Sequence, residues 1–250
     1  MSVGEIIAIA AAGLAAGMIN TVVGSGTLIT FPVLLAFGYA PVTANVSNTV
    51  GLVPGSISGA IGYRRELSGQ RQQAVRLGAA SVLGGITGAV LLLALPAAAF
   101  EAIVPMFIGL ALVLIVLQPH LNRLLAKRAV HSAHTGRILL LALYATGVYG
   151  GYFGAAQGIL LLGILGLALT QDLHRTNALK NVLAGLVNGV AGVFFIFAAH
   201  VEWAPAAIIA ASSIIGAQIG ARYGRRLNPV ALRALIVVVG IAAIVHFVAT

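Results

Sequence analysis

Lys180 is flanked on one apolar stretch by Asn177, Asn181 and Asn188. These positions follow helical spacing, i, i+3, i+4 and i+11 from Asn177, so they share one helix face. The same spacing occurs 132 residues earlier as Asn45, Asn48, Thr49 and Ser56. Amides and an ammonium are costly in hydrocarbon and belong in a bundle interior. Facing each other, the two rows would offer N–H and O–H donors plus one cation, a set suited to an anion. The competing reading is interhelical hydrogen bonding that only holds the bundle, about 0.6 kcal/mol per contact. Asn45 and Asn177 lie near element starts, where capping is a further role. Lys180 is close enough to its element start to snorkel to the membrane surface. Asp172 is the one acidic residue within reach of it on the same stretch.

A second candidate is the run Asn20-Thr21-Val22-Val23-Gly24-Ser25-Gly26-Thr27, set inside apolar sequence. Two close glycines break a helix, because glycine loses most backbone freedom on ordering and readily takes positive φ. The apolar run after it covers about 10 residues, or about 15 Å of helix, against a bilayer core of about 30 Å. The break therefore belongs inside the membrane, enclosed by protein or lining a polar cavity. It reads either as part of a binding site or as a tight packing turn. As a site it contributes Asn20, Ser25, Gly26 and Thr27, with helix N-termini near Thr27 and Gly158 presenting unpaired N–H groups. Gln157, beside a second glycine-rich break at Gly150 to Gly158, is a further donor, as is Gln218.

The chain that must position these groups has 250 residues, of which 60% are hydrophobic and 8% charged. Soluble domains carry roughly 25% charge, and the mean hydropathy here is +1.06. Successive runs of about 20 apolar residues specify an all-α polytopic membrane protein; barrel strands would alternate with period two. Apolar elements are predicted at 5–23, 27–38, 42–63, 74–95, 98–118, 138–153, 158–169, 174–199, 204–222 and 230–248. The second and seventh are too short to span. Pro41, Pro205 and Pro229 suit first helical turns, while Pro32, Pro54 and Pro105 are internal and predict kinks. The segment Met1 to Glu5 lacks the basic region of a signal peptide and reads as the start of the first membrane helix.

The halves repeat. Gly84-x-x-x-Gly88 falls on Gly216-x-x-x-Gly220, and Gly17 and Gly24 fall on Gly147 and Gly154. Small-xxx-small pairs let helices approach closely. The predicted division is a first repeat over 1–117, a basic cytoplasmic linker over 118–137 and a second repeat over 138–250. Lys and Arg cluster at 64–76, 123–137 and 222–233, while Glu5, Glu101 and Glu202 have no basic neighbour. The positive-inside rule places the basic loops in the cytoplasm and both termini outside. Equivalent loops of the two halves have opposite charge bias, so the five-element repeats are predicted to be inverted. Trp203 and Tyr39 suit the outer interface, Tyr63 and Tyr223 the inner one. Inverted repeats with broken helices are a transporter architecture.

Other chemistries are poorly served. Cysteine is absent, excluding disulfides and thiolate sites. His131 and His134 have metal-compatible spacing but no acidic companion, and read as a solvated loop without metal; His246 reads as packed or interfacial. Gly24-Ser25-Gly26-Thr27 lacks the Gly-Lys-Ser/Thr ending of a phosphate loop. No nucleophile–base pair occurs, so no enzyme and no cofactor are expected. The net charge of +9 follows membrane topology rather than nucleic-acid binding.

The run from Gly17 to Leu35, followed by Ala44-Asn45, resembles the opening motif of the TauE/SafE sulfite-exporter family, and a weaker second motif spans Gly147 to Gly158. Ser25 and Thr27 stand where glycine is common in that motif. The resemblance covers nearly the whole chain. It implies a multi-pass transporter of the bacterial inner membrane for small anions such as sulfite, organosulfonates or carboxylates. The expectation is alternating access, with export as the direction. One half-site would comprise Asn20, Ser25, Gly26, Thr27, Asn45, Asn48 and Thr49, the other Gln157, Asn177, Lys180 and Asn181. The partners expected are the anion and the lipid bilayer. An anion channel and a non-transporting accessory subunit remain open on these residues.

Overall fold

The computed structural model describes residues 1–127, 135–224 and 229–249. His131, His134, Arg128, Arg225 and Arg226 lie outside the described residues, as does the side chain of His246. Ten helices and no strand occur among the described residues: α1 (Val3–Val22), α2 (Thr27–Ala36), α3 (Pro41–Gly62), α4 (Arg71–Ala94), α5 (Ala97–Lys127), α6 (Thr135–Tyr152), α7 (Gln157–Ala168), α8 (Leu173–Ala198), α9 (Trp203–Tyr223) and α10 (Pro229–Ala249). Five of them, α1, α4, α5, α8 and α9, are long and apolar enough to cross a membrane. With 10 and 12 residues, α2 and α7 extend only about 15 and 18 Å.

The chain starts α1 with a capping box, Ser2 Oγ accepting from the Glu5 N–H and the Glu5 carboxylate accepting from the Ser2 N–H. Pro41 and Pro229 open α3 and α10, where the missing N–H costs nothing. One boundary differs from expectation. Helix α5 continues past Gln118 and through Pro119 to Lys127, so the first part of the predicted linker is helical. Only the proline's own N–H bond is lost, and the chain on either side stays helical.

The packing has a regular exchange. Helix α1 lies along α9, and α4 lies along α6; α3 packs on α9 as α8 packs on α4. Likewise α2 meets α10 as α7 meets α5, while α3 crosses its own counterpart α8. Glycine makes the closest of these contacts possible. A Cβ on Gly216 or Gly220 would strike the backbone of α1 at Leu14 or Met18, and one on Gly84 or Gly88 that of α6 at Tyr144 or Val148. Gly17 abuts Ser213 backbone as Gly147 abuts Ser81 backbone. The small-residue pairs are therefore contact surfaces, with carbonyl oxygens where methyl groups would stand.

Both breaks end their helices the same way. The N–H of Gly24 reaches back to Ile19 O at 3.0 Å and that of Gly154 to Tyr149 O at 3.0 Å. Each glycine then takes a positive φ, 89° and 77°, which a side chain would strain. The turns are enclosed: Ser25 is 1% exposed, Val23 4%, Phe153 2% and Ala155 0%. Tyr63 departs from its expected place at a membrane interface and is buried at 7% exposure, while Trp203 and Tyr223 are exposed.

Gly216→Ala should lower thermal stability by about 1–3 kcal/mol through overpacking. Gly163, which has nothing within 4 Å of its would-be Cβ, should accept alanine without loss. Melting of the two purified variants in one detergent checks the contrast; equal behaviour would contradict it.

Candidate functional site

A helix whose end is buried leaves its last carbonyls without intrahelical partners, at the negative end of its dipole. At the end of α1 these are the carbonyls of Asn20 and Thr21. Helix α8 supplies their donors. Lys180 Nζ donates to Asn20 O at 3.1 Å and to Thr21 O at 3.3 Å. The side-chain amides of Asn177 and Asn181 each donate to Thr21 O at 3.3 Å. The i, i+3, i+4 spacing thus aims three side chains at one helix terminus. Lys180 is 0% exposed, so it does not snorkel.

The other break repeats part of this. Asn45 on α3 donates its side-chain amide to Tyr152 O, at the end of α6, at 2.9 Å. Asn48, the counterpart of Lys180, turns instead to α2. Its amide nitrogen donates to Thr27 Oγ1 at 3.4 Å, and its oxygen accepts from the Thr30 hydroxyl. Further along the same two rows, Asn188 donates to Ser56 Oγ at 3.2 Å, joining α8 to α3 between equivalent positions.

The breaks touch. Gly24 and Gly158 leave no room for a Cβ on either, and the Gly158 N–H donates to Gly24 O at 3.0 Å. This corrects one expectation: the N–H at Gly158 is paired. Near Thr27, the N–H of Leu28 is likewise turned back to Ser25 O at 3.2 Å, and that of Ile29 to Gly26 O at 3.0 Å. Tight i→i+3 turns at the helix starts consume these donors.

The remaining candidates divide. Ser25 Oγ and Gln157 Nε2 are buried without a hydrogen-bond partner among the described residues, as are the side-chain oxygens of Asn45 and Asn177. Gly26 lets the turn pack on α1, where a Cβ would meet Ala16 O. Asn20 contributes its carbonyl, with its side chain half-buried. Thr49 is not brought to the breaks: its hydroxyl returns to Asn45 O, one turn back, at 2.8 Å. Gln218 sits elsewhere, donating to Ser58 O and Oγ at 2.9 and 2.8 Å. Two participants escaped the sequence reading. Thr30 lies i+3 from Thr27 on a short apolar helix, and that spacing was a usable signal. Thr21 acts through its carbonyl, which no side-chain pattern marks. Among the described residues no three His, Cys, Asp or Glu side chains lie together to hold a metal.

The chain matches the model of the sulfite exporter TauE/SafE family over residues 9–247. It belongs to the TauE/SafE family. It is 28% identical over 240 residues to a probable membrane transporter protein, ORF9, of a Sinorhizobium species, covering 95% of this chain and 90% of the relative. It is 28% identical over 232 residues to the probable membrane transporter protein YfcA of Escherichia coli K12, covering 90% and 82%. A probable membrane transporter protein of Haemophilus influenzae is 24% identical over 226 residues, covering 90% and 88%. No solved structure matches. This TauE/SafE chain is a multi-pass helical membrane protein, and its match takes in both breaks and both polar rows.

Asp172 is occupied as an N-cap rather than as a partner of Lys180. Its carboxylate accepts the N–H of His174 at 2.8 Å and of Arg175 at 3.0 Å. These bonds, with that from Arg175 foremost, hold its carboxyl below the ordinary 3.8. A depressed folded value means stabilisation that is whole above the ordinary value and lost as pH falls through the depressed one. Asp172→Ala should cost about 1 kcal/mol at neutral pH, and the difference from wild type should shrink as pH falls below the ordinary carboxyl value. Thermal melts at pH 7 and pH 3 check both; a pH-independent difference would contradict the cap's ionic character.

Proposed function

We propose that the protein is a secondary transporter of a small anion, working by alternating access where two inverted repeats meet. The observation that carries this is Lys180. Its ammonium is fully buried, among the described residues only neutral backbone carbonyls accept from it, and Asp172 is committed elsewhere. A buried charge without a counter-charge is expensive. An anion entering between the breaks would supply the missing charge, with Ser25 and Gln157 as unpartnered groups beside the same turns. The acceptor oxygens of Asn45 and Asn177 suit a substrate that also carries an O–H or N–H.

The exchange of helix pairs between the halves supports the division into repeats over 1–117 and 138–250. Their opposite loop charges support the inversion, with both termini outside the cytoplasm of a bacterial inner membrane. The family's description, sulfite exporter, favours sulfite as the substrate, and organic sulfonates and carboxylates are proposed beside it as anions of similar chemistry. Export fits the physics: an interior-negative potential drives an anion outward by about 2.3 kcal/mol per 100 mV per charge. Burial of both breaks favours a carrier that must open one side at a time over a standing channel. Relatives named as transporters favour this over an enzyme or an accessory subunit.

Proteoliposomes holding the purified protein should take up sulfite, or another anion of a sulfonate and carboxylate panel, with saturation and counterflow. Lys180→Met should reduce that flux at least tenfold while elution and helical content stay unchanged. Wild-type liposomes that move none of these anions, or a folded Lys180→Met that moves them at the wild-type rate, would overturn the proposal.

A further inference from the structure

A groove of about 1100 Å³ lies on the outer face of α3 and α8, away from the breaks. Its walls are apolar, with Val53, Ile57 and Ile61 on α3 facing Val193 and Phe197 on α8. Its floor includes Gly185 and Gly189. These glycines differ from the packing glycines of α4 and α9. No atom lies within 4 Å of the position a Gly189 Cβ would take, and the nearest to that of Gly185 is 3.6 Å away. Gly189 leaves its part of the groove open, while Gly185 passes Ser56 of α3 at ordinary contact distance. Arg64 stands in the lining of the groove, and also in that of a separate polar pocket of about 310 Å³ with Arg65, Glu66, Gln218 and Arg222. Three arginines and one glutamate line that pocket.

We propose that these two cavities, which share Arg64 in their linings, together seat an anionic phospholipid, its acyl chain in the groove and its phosphodiester among Arg64, Arg65 and Arg222. The two parts match the two parts of that molecule. The stretch of α3 from Val53 to its end at Gly62 covers about 14 Å of helix, close to one leaflet of a hydrocarbon core about 30 Å thick, and Arg64 follows two residues later. Arginines at the end of such a groove suit phosphate, which they bind through paired N–H groups. A second copy of the chain would fill the groove but leave the excess positive charge of the basic pocket uncompensated. The seat lies apart from Lys180 and stands whether or not the protein carries an anion.

The test uses the full chain in a neutral detergent, titrated with phosphatidylglycerol and with phosphatidylcholine of identical acyl chains and read by native mass spectrometry. Phosphatidylglycerol should bind about tenfold tighter or more. Gly189→Leu, whose added Cβ meets no atom within 4 Å, puts a branched side chain into the groove and should lose binding of both lipids. Replacing Arg64, Arg65 and Arg222 together by Gln should erase the preference while weak binding of both persists. Should Gly189→Leu not fold, Ile57→Trp blocks the opposite wall and carries the same expectation. Equal binding of the two lipids by wild type, or undiminished phosphatidylglycerol binding by a groove-filled variant that folds, would overturn the proposal. So would a dimer in light scattering that Ile57→Cys cross-links across the groove.

Discussion

Backbone hydrogen bonds left unmade where α1 and α6 end in buried turns are the constraint on which the rest of this structure depends. Inside a bilayer no water satisfies such carbonyls, and each one left bare is costly. The chain answers from across the molecule. Donors on α8 reach the end of α1, and a donor on α3 reaches the end of α6. Each break is thus secured by the opposite half. The long helices of the two halves must come close for this to happen, and the glycines that let α9 approach α1 and α4 approach α6 serve that need. Packing and polar satisfaction are two sides of one arrangement.

The two ends are secured unequally. The α1 terminus is met by an ammonium and two amides, the α6 terminus by the single amide of Asn45. Around the second break an aromatic cluster compensates. Phe153 lies edge-to-face with Phe31 at 5.3 Å and against Phe100 and Phe107 at 6.0 and 5.9 Å. Tyr149 donates its hydroxyl to Ala155 O, within the turn. One half thus keeps its cation in a polar setting while the other is closed by rings. On the transport reading, such a difference would give a repeated scaffold a preferred orientation for a charged substrate, which perfect symmetry would not.

Much of this was legible in the residues. Helix spacing placed Asn177, Lys180 and Asn181 on one face, and they share a target. Paired glycines at 84, 88, 216 and 220 announced close helix contacts, and those contacts exist. What stayed hidden has a common cause. Thr49 looked equivalent to Asn181, yet a threonine hydroxyl is short enough to bond the carbonyl one turn back, and it does. The N–H of Gly158 looked free because its acceptor, Gly24 O, is 134 positions away. The basic residues after Gln118 read as a linker, but α5 runs on through Pro119 to Lys127. Side-chain type and period reveal which face is polar. They do not reveal backbone partners, which depend on how distant segments meet.

That dependence bears on how a bound anion and the fold would influence each other. On the transport reading, an arriving anion competes with the carbonyls of Asn20 and Thr21 for one ammonium. The competition is uneven. Thr21 O also accepts from Asn177 and Asn181, so it stays satisfied when Lys180 turns away. Asn20 O has no second side-chain donor among the described residues and would lose its only one. The last turn of α1 is therefore the element whose stability changes with occupancy, and it lies directly before the turn that touches the other break. A substrate that draws Lys180 toward itself loosens one helix end at the contact between Gly24 and Gly158. The two asparagines are what allow that lysine to move without leaving a wholly bare terminus in the membrane.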